Sequence, residues 1–257
     1  MACCERRFGA AYTLPVLLTF VGIAFIAGLW MTQANSHGAT YPILTWVSLG
    51  VVVAIGALWI ALSKLVLIVS GAGVRRESPF GQQELAWSQI TETRYRVVPI
   101  NLSVHFGLIG ALIAMSSKSK GAQLILELKA SDGKTLKVTS VFRNASEAIG
   151  MILERILPPM VKAVKARLQR GETVLFGPVG LSATAITWKG KTIPVSQITR
   201  AEIAGTNLRV KQQGKWLAAL SVRSDKVPNV LVFLDVLESL APQIKSTGID
   251  PLARVRM

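Results

Sequence analysis

The stretch FGAAYTLPVLLTFVGIAFIAGLWMTQANSHGATYPILTWVSLGVVVAIGALWIALS, residues 8–63, decides the architecture, because none of its 56 residues is Asp, Glu, Lys or Arg. It is too long for one membrane crossing and suits two. The polar segment TQANSHGATYP, 32–42, divides it, with Gly38 and Pro42 as helix breakers. The flanking residues 11–31 and 43–63 are mostly apolar, 21 on each side. At about 1.5 Å rise per residue, each reaches the roughly 30 Å of a bilayer's hydrocarbon layer. A hairpin of two transmembrane helices is the expected form, since backbone amides in lipid must be satisfied within the segment. Arg6 and Arg7 precede the first span, the outer loop 32–42 has no basic residue, and Lys64, Arg75 and Arg76 follow the second. Both termini are therefore expected in the cytoplasm, at a bacterial inner membrane or a plasma membrane. The rival reading is a signal peptide cleaved near Ala34. Its apolar region of about 20 residues exceeds the usual 7–15, and a second apolar stretch follows at once.

Composition points the same way. The 257 residues are 51% hydrophobic and 17% charged, which excludes a disordered chain and falls below the roughly 25% charge of a soluble one. Twenty-nine Lys and Arg against 14 Asp and Glu leave +15, so an electrostatic partner should be anionic. Cys3 and Cys4 are adjacent, which excludes a disulfide framework and a zinc finger. They read as reduced thiols, or as S-acylation sites in a eukaryotic cell. Small residues four apart (Ala24 and Gly28, Gly50 and Ala54, Ala57 and Ala61) permit close helix packing.

Beyond Ser63 the pattern changes to short alternating runs separated by Gly-containing turns, the mark of antiparallel sheet. LILELK and TLKVTSV flank Asp132-Gly133, and NLRVKQ and KWLAALSV flank Gln213-Gly214, two hairpin signals. Each hairpin leads into a helix. The first begins near Asn144, with Glu147 placed as in a capping box and Ile149, Ile152, Leu153 and Ile156 in one stripe. The second has Pro228 in its first turn and Val230, Leu231, Leu234 and Leu237 at helical spacing. The tetrapeptide SQIT occurs at 88–91 and 196–199, in the same order relative to Gly turn, strands, hairpin and helix. The sequence thus predicts two copies of one β-rich domain with a closing helix, an α+β chain overall. The boundaries are 1–10, a cytoplasmic N-terminus; 64–157, the first copy; 158–171, a basic connector; 172–244, the second copy; and 245–257, a tail.

A partly open barrel of short strands closed by a C-terminal amphipathic helix resembles the pleckstrin-homology superfold. LVLIVSGAGVRRES at 65–78, LAWSQIT at 85–91 and GETVLFGPVGLSATAITWKGKTIPVSQIT at 171–199 resemble, more specifically, an uncharacterised family of membrane proteins with tandem domains of this type. The resemblance implies two pleckstrin-homology-like β-barrel or sandwich domains and brings no catalytic residues. Headgroup-binding members of the superfold carry a basic residue near the end of the first strand and a basic pair in the second. Lys64, Arg75 and Arg76 stand at roughly those places, the pair here being contiguous rather than alternating.

Two segments depart from a minimal domain. Residues 101–117, nearly all apolar, are too short to span a bilayer; they read as a pair of buried strands, with a dip into the headgroup region as the alternative. In the connector, Pro158 and Pro159 are expected to end one helix and Gly171 to stop the next. Lys162, Lys165, Arg167 and Arg170 give it a solvated basic face or, on the sharper reading, a lipid-facing stripe.

Reaction chemistry is not legible. His37 and His105 lack neighbouring ligands, and no HExxH, CxxC, GxSxG, GxGxxG or phosphate-loop motif occurs. No enzyme, cofactor or metal is expected. Nucleic acid is not expected either, because the basic residues are dispersed without a recognition helix or stacking aromatics. The expected role is a non-enzymatic scaffold on the bilayer, with a protein partner or a second copy of itself. The alternative is recognition of anionic headgroups through Lys64, Arg75, Arg76, Lys162 and Lys165.

Overall fold

A computed structural model describes residues 5–10, 13–34, 41–99 and 122–244. They form an α+β fold of four helices and four antiparallel sheets. The chain opens with a strand, β1 (Arg6–Gly9), and continues into helices α1 (Thr13–Ala34) and α2 (Tyr41–Ser63). Strands β2 (Val66–Val69), β3 (Gly73–Ser78) and β4 (Gly81–Ala86) complete a four-stranded sheet in the order β1-β2-β3-β4. A three-stranded sheet follows, made of β5 (Ile90–Pro99), β6 (Ala122–Ala130) and β7 (Thr135–Thr139), and then helix α3 (Ala145–Gln169).

The sequence of elements then repeats. Strands β8 (Val174–Phe176), β9 (Val179–Leu181), β10 (Ala185–Trp188) and β11 (Lys191–Pro194) form a second four-stranded sheet. Strands β12 (Ile198–Ala204), β13 (Asn207–Gln212) and β14 (Leu220–Arg223) form a second three-stranded one, closed by α4 (Val230–Leu240). None of the four sheets closes into a barrel, so the barrel expected from the sequence is corrected to pairs of open sheets.

The SQIT tetrapeptide earns its duplication residue by residue. In both copies Ser and Gln lie in a one-turn 3₁₀ helix and the Ile, buried at Ile90 and Ile198, starts a strand. The Gln carbonyl accepts from the hairpin turn, Ser131 N at 2.9 Å in one copy and Gln213 N at 2.7 Å in the other. The Thr hydroxyls donate to Lys129 O and Lys211 O, at 3.4 and 3.5 Å. Both strands shift register at that Thr, between Ile90 and Glu92 and between Ile198 and Arg200.

This correspondence equates β1 with β8. The first copy therefore begins at Arg6, inside the segment 1–10 that the sequence reading sets apart from it. Helices α1 and α2 stand inserted between its first two strands, where the second copy has a short turn at Gly177 (φ +62°). A second insertion, between β5 and β6, contains the apolar stretch 101–117, which lies outside the described residues, as do Cys3, Cys4, His37, His105 and the tail.

Helices α1 and α2 pack antiparallel. Trp59 Nε1 donates to Thr19 Oγ1 at 3.0 Å and Trp30 Nε1 to Ser48 Oγ at 3.4 Å. Gly22 faces α2 with no room for a side chain, since a Cβ there would lie 2.5 Å from Ile55 Cδ1; Gly28 and Gly50, singled out by their spacing, face open space. Thr45–Ser63 within α2 is long and apolar enough to cross a membrane, and α1 contains the shorter apolar stretch Leu18–Met31.

Three further expectations are corrected. Helix α3 runs unbroken through Pro158 and Pro159, so no separate connector exists at 158–171. The two prolines leave the carbonyls of Glu154 and Arg155 without helical donors, but all four residues lie on the exposed face, where those carbonyls are open to solvent. Burial of Ile152, Leu153 and Ile156 before the prolines, and of Val161 and Leu168 after them, holds both halves of the helix down. The helix ends at Gly171 (φ +79°) in a Schellman pattern, with Gly171 N on Leu168 O and Glu172 N on Arg167 O. Second, Asn144 makes no side-chain cap; it takes a left-handed conformation (φ 55°), which Asn229 repeats at the start of α4 (φ 54°). Pro228 precedes that helix and lies outside its first turn. Third, the run KWLAALSV is mostly connection: β14 starts only at Leu220, leaving Trp216 94% and Leu217 75% exposed.

Candidate functional site

The helix pair meets the first sheet at a junction built from β1, β2 and the residues that lead into α3. Gly9 pairs with Val66, so the strands entering α1 and leaving α2 lie side by side. Helix α3 locks onto the same place: Ala10 bridges Phe142, and Arg143 N donates to Gly9 O at 2.7 Å. In the first turn of α3, Glu147 pairs with the Arg6 guanidinium. That carboxylate, expected to cap its own helix, instead ties α3 to β1.

Of the sequence-selected cations, Lys64 sits at this junction, exposed in the turn after α2, and Arg76 reaches it through Phe142. Register places Arg76 opposite Leu67 and Arg75 opposite Ile68, on opposite faces of the sheet. Arg75 is engaged by Glu77 at 2.6 Å and by Gln82 at 2.9 Å. The Arg76 guanidinium lies over the Phe142 ring, 6.0 Å from its centroid. Lys162 and Lys165 lie about five turns along α3 from its start at the junction. The five residues therefore do not converge, and the two arginines have intramolecular work.

Sequence reasoning missed a second focus, where the copies meet. The Asn229 Oδ1 accepts from Thr93 N at 2.7 Å and from Thr93 Oγ1 at 3.1 Å, while its Nδ2 donates to Thr91 O at 3.3 Å. Asn229 N donates to Thr93 O at 2.7 Å, so one residue of the second copy covers the open edge of β5. Thr93 is 2% exposed. Beside it, Asp225 receives Arg96 at 3.0 Å from the first copy and Arg223 at 2.7 Å from its own. The Arg223 hydrogen bond, with the Arg96 charge adding to it, holds the Asp225 carboxyl below the usual carboxylate range. A continuous hydrophobic core runs from Phe8 to Ile244 through both copies. In sequence Asn229 precedes a helix stripe as Asn144 does, which suggests a helix start but not a bond to Thr93.

The third feature is a shallow groove between β11 and the β13–β14 connection, bordered by Lys191, Ile193, Lys215, Trp216 and Leu217. Among the described residues no three His, Cys, Asp or Glu side chains group to hold a metal ion.

Compared with known proteins, residues 6–245 match a family of unknown function, DUF6585. Its first matched residue is the first residue of β1. No curated protein matches the chain.

Proposed function

We propose, for a chain that belongs to the DUF6585 family and inherits no activity from it, a role as a non-enzymatic membrane scaffold. In this reading α1 and α2 cross the bilayer as a hairpin, and the two copies form a pleckstrin-homology-like tandem at the cytoplasmic face. The observation that carries it is the pairing of β1 with β2 across the helix pair. Both ends of the hairpin are sewn into one sheet, so the tandem is clamped to the surface instead of trailing on a linker. Arg6, Arg7 and Lys64 flank the pair on that side, as basic residues do on the cytoplasmic side of a membrane. The fused core and the Asn229 clamp favour a rigid platform. Trp216 and Leu217 give that platform an exposed aromatic anchor of the kind that dominates protein interfaces.

The test is a photo-crosslinking residue in place of Trp216, in the full chain within native membranes. A discrete adduct to one protein, or to a second copy, is the expected result. Absence of any protein adduct, together with binding of the full chain to added anionic but not neutral vesicles, would replace the scaffold by the headgroup-recognition reading.

A further inference from the structure

The strand register assigns a membrane contact to a residue outside the helices. Glu77 pairs with Val66, and Ser78 pairs with Gly81, so the turn Pro79-Phe80 projects from the same end of the sheet as Gly9 and Val66. Counted along the strands, Pro79 and Phe80 are level with Lys64, the residue that follows α2. Sideways, one and a half strand spacings put the turn roughly 7 Å from β2. Phe80 is 97% exposed, the most exposed of the large apolar residues among those described.

The turn is a firm mount. It has only two residues, and Ser78 Oγ donates across it to Gly81 O at 2.9 Å. Its one acidic neighbour, Glu77, is neutralised by Arg75. Beyond it Gln82 and Gln83 are exposed but uncharged. The second copy supplies an internal comparison: its corresponding turn, between β10 and β11, is Lys189-Gly190, with both residues at positive φ. An apolar tip thus occurs on the copy that holds the helices, and a basic one on the copy that does not.

We propose that Phe80 is a lipid wedge, seated in the headgroup–acyl boundary beside the helix pair, where it fixes the tilt of the tandem against the bilayer. This rests on the membrane-anchored reading above. The occupant of the Phe80 surface is the bilayer, and continuity with the ends of α1 and α2 is the reason.

The experiment uses the full chain in lipid vesicles, with Cys3→Ser and Cys4→Ser as background. An environment-sensitive fluorophore is attached to Val53→Cys in α2, to Phe80→Cys, or to Trp216→Cys. Quenching is then measured with lipids spin-labelled either near the headgroup or deep in the acyl chain. Expected are quenching of 53 by the deep label, a blue shift and quenching of 80 by the shallow label, and neither at 216. If 53 is quenched while 80 stays water-like, the wedge is overturned and the anchor stands. If 80 is blue-shifted but unquenched, protein covers it and the wedge is again overturned. If 53 is unquenched by either label, both readings fall. Quenching at 216 equal to that at 80 would also refute the placement.

Discussion

Replacing Asn229 by Ala removes the one side chain that satisfies the open edge of β5. Three hydrogen bonds go with it, to Thr93 N, Thr93 Oγ1 and Thr91 O. The Thr93 amide and hydroxyl are left without a partner at a residue 2% exposed, which costs about 2 kcal/mol. Ala must also hold φ near 54°, where an ordinary residue is disfavoured by about 1 kcal/mol. The expected loss is about 3 kcal/mol, or on the order of 100-fold in the opening equilibrium of the joint. Asn229→Gly loses the same bonds without the backbone penalty, so it should fall about 1 kcal/mol short of Ala. The assay is hydrogen exchange, read by mass spectrometry on peptides covering 90–99 and 224–240, with the full chain in lipid nanodiscs. Exchange at both peptides should accelerate together. If Asn229→Ala changes neither, or if Gly and Ala behave alike, the argument that this residue locks the two copies is refuted.

Other perturbations have equally definite outcomes. Gly73→Ala would put a Cβ 2.2 Å from Leu85 O and 2.9 Å from Ala86 Cα. Backbone cannot yield as a side chain can, so a loss of roughly 3 kcal/mol or more is expected in chemical denaturation. Arg6→Glu places a carboxylate against Glu147 in a half-exposed pair; amide protection of β1 should fall about several-fold, the effect of roughly 1 kcal/mol, while that of β12–β14 is kept. The Asp225 pKa is depressed in the folded state. Its stabilisation is therefore present above the unfolded carboxylate value of about 3.9 and is lost as pH falls through the lower folded value. Asp225→Asn should accordingly lower the thermal midpoint at neutral pH, and the difference from the native chain should vanish in acid.

The hairpin at Asp132-Gly133 and both closing helices were legible because their signals are local: a turn dipeptide, an apolar stripe. SQIT was legible as a repeat, although its meaning lies in bonds to Ser131 and Gln213 that only the fold brings near. β1 was not legible. Arg6–Gly9 is four residues ending at an apolar helical segment, and its partner lies beyond the 56-residue uncharged stretch, so no pattern within a window could pair them. At Pro158 and Pro159 a sound local rule lost to tertiary packing, since apolar residues on both sides of the prolines anchor the helix to one core. The cation group chosen from sequence dissolved because spacing along a chain says nothing about ion pairs such as Arg75 with Glu77. Asn229 was invisible as a clamp because its partner Thr93 is 136 residues away.

The insertion of α1 and α2 between two neighbouring strands also sets an order of events during synthesis. β1 leaves the ribosome first and waits, unpaired, until the whole hairpin has been made and β2 emerges. On the hairpin reading, β2 can reach it only if both helices have crossed. A chain that inserts α1 alone strands β1 on the far side of the bilayer from every partner it has. The sheet then lacks its first strand, Phe8 is missing from the core, and α3 has no Gly9 carbonyl to dock on. Folding of the tandem thus reports on its own insertion: a misinserted molecule is an unfinished one, recognisable to proteases by an open strand edge.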